Sequence, residues 1–460
     1  MDVMNICKTQ LLVMAGVTLS SISAVAQNTL PNIILVIADD CRMGDLGCYG
    51  SPDAVTPNID RIASEGLKFN RFFQATAMSS PTRHCLLTGL YPVKSGAYPN
   101  HTFIDEGVKT LPYYLKKAGY RVAMQGKRHI APLEAFPFEY LSGDYKNLNI
   151  PDLELFIADV AVKKQAFFLY LASNDPHSPW TRGNRSLFDA EKLTLPPTLV
   201  DTKETRKNYA NYLAEINQLD TDVGKIDALI KKYNLDENTV FITSEQGHQF
   251  PFAKWTCYDA GLQTGFIVRW KGVTMPGSET DAMCEYVDVT PTLLDIAGAS
   301  VPKGLDGKSF LPVIKGKKTN KEYVFGIQTT RGIANGADYY GIRSVRNDKF
   351  SYILNLTPEV PFQNIITRKQ DPVWFSWINE AENDIFAKQQ IHKYQYRPKE
   401  ELYDIINDPY QMHNLIDDVK YASEVKKLRR QLQRWMDSQG DKGQETEMRA
   451  LEHKWNPKKH

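Results

Sequence analysis

The sequence predicts an α/β protein: a large, mostly parallel sheet sandwiched by helices, then a smaller α+β region with a short antiparallel sheet. Three observations carry this. Asn32-Ile33-Ile34-Leu35-Val36-Ile37-Ala38 is an unbroken apolar, largely β-branched run, as a strand buried on both faces requires. Similar runs recur at Arg121 to Met124, Phe167 to Leu171, Thr239 to Thr243 and Phe266 to Trp270, with helical patterns between several of them. Beyond Pro312 the texture changes to polar, strand-like pieces. Strands that alternate with helices imply crossover connections and a parallel sheet.

Each element follows in order. Residues 1–26 read as a signal peptide: Lys8 gives a basic start, Leu11 to Val25 is mostly apolar or small, and Ala24-Val25-Ala26 fits a cleavage site. The segment is too short and too serine-rich for a membrane span. The mature chain is therefore expected to be exported, in a bacterium to the periplasm. Residues 27–320 are expected to form the larger, catalytic domain. In it Leu213, Ile216, Val223, Ile226 and Ile230 keep helical spacing and lead into the strand at Thr239. Lys315 to Lys321 reads as a linker, and residues 321–460 as the smaller domain. There Tyr339 to Val345 and Lys349 to Leu354 read as antiparallel strands, and Ala422 to Trp435 as an amphipathic helix. The charged stretch from Asp441 to His460 reads as frayed.

Composition excludes some functions. Fifty-five basic and 54 acidic residues leave a net charge of +1. A nucleic-acid footprint needs a basic excess. Removing the first 26 residues takes Cys7 and leaves Cys41, Cys48, Cys85, Cys257 and Cys284, without a Cys-x-x-Cys pair for zinc or redox work. Cys41 and Cys48 are spaced to bridge in an oxidising compartment; equally, all five serve as plain buried residues.

Ligands of such sheets bind beyond the carboxyl ends of the strands, so the residues there carry the functional reading. Asp39-Asp40 ends the first strand directly. Adjacent carboxylates are costly unless something cationic lies between them. A hard divalent cation fits; in isolation a turn or cap explains the pair as well. Glu245-Gln246 follows the strand at Thr239 in the same way and adds oxygen ligands, which makes a cation site more attractive.

Ser79-Ser80-Pro81-Thr82-Arg83, with Thr88-Gly89 beyond, resembles the signature of type I sulfatases. Gly126-Lys127-Arg128-His129, Asp175-Pro176-His177-Ser178-Pro179 and Lys254-Trp255-Thr256-Cys257-Tyr258-Asp259-Ala260-Gly261 resemble further motifs of that family, in its order. Asn407-Asp408-Pro409 resembles its C-terminal signature and is, as bare sequence, a turn. The resemblance covers nearly the whole chain after residue 26, and implies the alkaline-phosphatase-like sulfatase fold.

It also implies a mechanism. Ser79 is oxidised to formylglycine by a maturation enzyme, and its hydrate attacks sulfur and displaces the alcohol or amine. The sulfated hydrate then collapses, so that one difficult step becomes two. Asp39, Asp40, Glu245, Gln246 and the modified Ser79 hold one calcium ion. Lys127 and Lys254 bind the sulfuryl oxygens, and Arg83 keeps the hydrate and carboxylates in register. His129 is the candidate base and His177 the candidate acid, assignments that the sequence leaves exchangeable.

Arg343-Ser344-Val345-Arg346, Asn355-Leu356 and Pro358 to Phe362 look like the heparan N-sulfatase (sulfamidase) branch. This implies N-sulfoglucosamine of heparan-type glycosaminoglycans as substrate, with O-sulfated host or algal glycans as the alternative. Two departures stand out: the family more often has Asp followed by Asn or His where Glu245-Gln246 stands, and position 79 is Ser rather than Cys. A two-zinc phosphatase or phosphodiesterase of the same superfamily would need more histidine ligands than nine histidines, so placed, provide. A sulfated-glycan binder that has lost catalysis is the reading of a different class. Trp180, Arg182, Gln249 and Trp255 lie near the motifs as candidate sugar contacts.

Overall fold

The computed structural model describes residues 30–456, apart from 143–146, 245–246, 334–335 and 368–369. The signal-peptide reading and the Glu245 and Gln246 ligands lie outside the described residues.

The larger sheet has nine strands: β1 (Asn32–Ile37), β2 (Leu67–Phe73), β3 (Arg121–Gly126), β4 (Glu139–Tyr140), β5 (Phe167–Ala172), β6 (Thr239–Ser244), β7 (Gln263–Arg269), β8 (Ser278–Thr280) and β9 (Cys284–Glu285). Their order is β4-β3-β5-β1-β6-β7-β2-β8, with β9 also on β2. β1 lies centrally, parallel to β5 and β6, and all six of its residues are buried. Its apolar run has helices on both sides, which is why no polar alternation occurs. One of those helices is Lys203–Lys232, capped by the Thr202 hydroxyl on the Thr205 amide.

The predicted strand at Phe266 forms as β7 but runs antiparallel to both β6 and β2, and Trp270 lies past its end. A β-branched run specifies burial, not direction. β2 went unread because Lys68, Asn70 and Arg71 interrupt its apolar pattern, which shifts register between Phe69 and Phe72.

The second sheet is antiparallel, with order β10 (Val324–Thr329), β11 (Gly341–Arg346), β12 (Phe350–Asn355) and β13 (Glu400–Asp404). The predicted helix spans Ala422–Gln439. The polar stretch before this sheet ends on a half-buried lysine: Lys321 lies 2.6 Å from Glu285 Oε2 and 2.8 Å from Asp288 Oδ1.

The stretch read as frayed is instead built into the fold up to Asn456. Asp441 is buried and paired with Arg343, and Glu447, on the short helix Gln444–Met448, lies 2.8 Å from Arg343 Nη1. Thr446 O accepts from the Tyr98 hydroxyl, His453 O accepts from Thr102 Oγ1, and Lys454 bridges Thr102. Its charges are partners for buried groups elsewhere, which sequence cannot distinguish from charges facing water. Among the described residues no helix is long and apolar enough to cross a membrane.

Candidate active site

The site forms where the carboxyl ends of β1, β3 and β5 meet. Asp39 and Asp40 follow β1 and are fully buried, Asp40 with a left-handed φ of 70°. The register pairs Ile37 with Ser244, the residue before Glu245. Ser173 N donates to Ile37 O and Asp39 N to Asp175 O, so the loops after β1 and β5 are joined by backbone hydrogen bonds. β3 ends at Gly126, where a Cβ would stand 2.1 Å from Ala172 O, so glycine lets Lys127 N reach the same carbonyl.

Ser79 is the first residue of the fully buried helix Ser79–Thr88, and its hydroxyl donates to Asp39 Oδ1 at 2.6 Å. A helix start favours negative charge. Arg83, one turn on, donates from Nη1 to Lys127 O at 3.0 Å, and its Nη2 lies 3.8 Å from Asp39. Lys127 pairs with Asp39, and Lys254 with Asp40. His177 Nε2 lies 3.6 Å from Asp40 Oδ2. Trp255 N donates to Ala77 O, tying the Lys254 loop to the start of the serine helix.

Ser79, Lys127, His129, His177 and Lys254 all line one cavity of about 610 Å³, with Asp39, Asp40 and Arg83 buried beneath. The structure thus gathers every described residue of the predicted set. Arg182, Gln249 and Trp255 line the cavity too. Trp180 does not: its ring stacks on Phe250 at 4.8 Å and its Nε1 donates to Pro176 O, because an indole in an apolar cluster still needs a partner for its N–H.

Burial alone would raise the Asp39 pKa, but Lys127, His177, Arg83 and Lys254 hold it well below the usual range. Burial, then Lys127, pushes His129 well down; burial, then Lys254, lowers His177. Both imidazoles are therefore neutral at neutral pH before an anion binds. Among the described residues, three cations, Arg83, Lys127 and Lys254, surround the two carboxylates.

Sequence reasoning missed several groups. His101 Nδ1 lies 2.9 Å from His129 Nε2, and both residues have left-handed backbones, with φ of 55° and 46°. A lone histidine in a polar loop gives no periodic signal. His84 is fully buried and joins Ser80 O to Ala131, fixing the serine helix to the loop that carries His129. Asp175 is pushed up to about 7 by burial against the pull of Arg182, whose Nη1 lies 2.6 Å from Oδ2; among the described residues its Oδ1 finds no protein donor. Glu215 on the long helix accepts from the Thr181 and Arg182 amides and lines the same wall.

Among the described residues no three His, Cys, Asp or Glu side chains cluster as a metal site. The donor chemistry nonetheless fits a hard cation: two fully buried adjacent carboxylates and the Ser79 oxygen, with no soft ligand among them.

Fold and site together define a hydrolase of anionic esters with the sulfatase/alkaline-phosphatase-like architecture. The chain belongs to the sulfatase family: the Sulfatase model matches residues 31–299, and the N-sulphoglucosamine sulphohydrolase C-terminal model matches residues 247–392. It is a sulfatase, in a family for which calcium dependence is general. It is 33% identical to an ulvan-active sulfatase of Formosa agariphila, over 89% of this chain and 81% of that one. Human N-sulphoglucosamine sulphohydrolase is 26% identical, over 88% and 89%. The solved structure of BT4656 in complex with its substrate D-glucosamine-2-N,6-O-disulfate shares the fold: TM-score 0.70, 20% identity, coverage 90% and 99%.

Proposed function

We propose that this chain is an exported, periplasmic sulfatase that cleaves sulfate from a sugar through a formylglycine made from Ser79. The supporting observation is the arrangement of the Ser79 oxygen 2.6 Å from Asp39, inside a ring of Arg83, Lys127 and Lys254. Once oxidised, residue 79 would supply the hydroxyl that attacks sulfur. Calcium, held by Asp39, Asp40 and residue 79 together with Glu245 and Gln246, would supply fixed positive charge. Lys127 and Lys254 bind the sulfuryl oxygens from opposite carboxylates, and this fixed charge is most useful where charge develops in the transition state. His177, lowered and neutral in the empty site, gains a proton as the anion binds and delivers it to the leaving atom. His129, with Nε2 engaged by His101, takes the proton that must leave residue 79. Ser79 is 4% exposed, so the maturation enzyme reaches it before the fold closes.

For the sugar, the match to the N-sulphoglucosamine sulphohydrolase C-terminal model supports N-sulfoglucosamine at the end of a heparan-type chain. The 33% identity to an ulvan-active sulfatase favours a second reading, an O-sulfated algal polysaccharide. Sulfate release is measured from N-sulfoglucosamine, 6-O-sulfated N-acetylglucosamine and ulvan oligosaccharides, with serine-type maturation, with calcium and after its chelation. Release from the N-sulfated sugar alone supports the first reading, and release from ulvan alone the second. Silence on all three, with residue 79 shown by mass to be formylglycine, refutes both readings of the sugar.

A further inference from the structure

A second cavity, of about 410 Å³, adjoins the catalytic one, and His101 and His129 belong to the walls of both. Its remaining wall includes Ser80, Thr102, Arg128, Glu134 and Trp455. Trp455 arrives from the far end of the sequence, and the structure fixes it in place. Its amide donates to His101 O at 2.7 Å, the preceding Lys454 bridges Thr102, and its ring lies 6.0 Å from that of Phe103 at 61°. The ring is half-buried and faces a cavity of mixed lining, with Ile130, Ala131 and Leu133 beside the polar groups.

We propose that this cavity is a binding subsite for the sugar next to the sulfated one, with Trp455 as its stacking platform. The inference rests on the sulfated-saccharide reading above. A sugar bonded to the one in the catalytic cavity must leave it over the cavity's rim, and the His101–His129 pair is a rim that opens onto a second space. An indole presents a flat apolar face suited to the C–H face of a pyranose. Arg128 and Glu134, both exposed, offer donors and acceptors for its hydroxyls. Arg128 and Glu134 cancel in charge, so the site suits hydroxyls rather than a second sulfate. The chain then prefers an oligosaccharide to a single sulfated sugar.

The test compares kcat/KM on a sulfated monosaccharide with kcat/KM on the disaccharide ending in that sugar. The pairs are N-sulfoglucosamine with its heparan disaccharide, and 6-O-sulfated N-acetylglucosamine with its disaccharide. In the intact chain the disaccharide is favoured roughly tenfold, the worth of one well-placed aromatic contact. Trp455→Ala removes most of that preference, Trp455→Phe keeps most of it, and Arg128→Ala reduces it in part. An unchanged ratio in Trp455→Ala, or equal losses on both sugars, overturns the subsite. If no sugar is hydrolysed, the reading of the sugar fails separately, and calorimetric titration with the heparan disaccharide decides the subsite. Binding about tenfold weaker in Trp455→Ala supports it, and equal binding overturns it.

Discussion

Two fully buried arginines mark the two kinds of charge cluster in this molecule. Arg83 stands with Lys127 and Lys254 around Asp39 and Asp40, so among the described residues cations outnumber carboxylates. Arg343 stands alone between Asp441 and Glu447. Burying a charge costs several kcal/mol unless partners offset it. The Arg343 cluster meets that cost with hydrogen bonds and even adds Thr329 Oγ1 on Glu447. The Arg83 cluster keeps a positive remainder, which an anion arriving from the cavity neutralises. The surplus, not burial itself, separates a site that binds from a site that holds.

The contrast is open to direct attack. Ser79→Ala should abolish turnover and leave the melting temperature unchanged; full activity in that variant would sink the formylglycine mechanism. Lys127→Ala should lower kcat/KM about 10²–10³-fold, as loss of one preorganised charge does, and should also lower the melting temperature, because buried Asp39 loses its main partner. His177→Ala should harm a sulfated sugar far more than an activated aryl sulfate, because only the sugar needs its leaving atom protonated. Equal losses would remove His177 from the acid's role.

Substitutions at the holding clusters should reverse the pattern. Arg343→Ala strands two buried carboxylates and should destabilise by about 3–5 kcal/mol in denaturant titrations, with kcat on a sulfated monosaccharide largely kept. A smaller effect is expected at Asp227, which burial would raise but which Arg269, Lys231 and Arg61 bring down to about 2. Its folded pKa lies below the unfolded value of 3.8, so its contribution is complete above pH 4 and disappears as pH falls through 2. Asp227→Asn should therefore cost roughly 1–2 kcal/mol at pH 7, and the two proteins should converge near pH 2. A constant difference across that range would mean that the aspartate acts through packing, not charge.

Much of this was legible in the sequence, for physical reasons. β1 announces itself because both faces are buried, and Asp39-Asp40 follow it without a break. The strand-end rule placed the acidic pairs on one edge of the sheet, whereas Arg83, Lys127 and Lys254 were placed by the resemblance of their motifs to the family's. What sequence hides is direction and distance. β7 reads as a strand, yet its reversal depends on neighbours. His101 and Trp455 carry no pattern, because each works through a partner remote in the chain. Trp180 looked like Trp255 in the sequence, and only packing separates a core indole from one on a cavity wall.

The segment from 441 onward sets a clock on the site. Thr102 donates its amide to Ser80 Oγ and its hydroxyl to His453 O, the latter across 351 positions of sequence. Contacts so far apart close late, because chain entropy must be spent before they form. The central strands can assemble while the neighbourhood of Ser79 still stands open. A maturation enzyme acting on Ser79, as proposed above, would find the serine open during this interval.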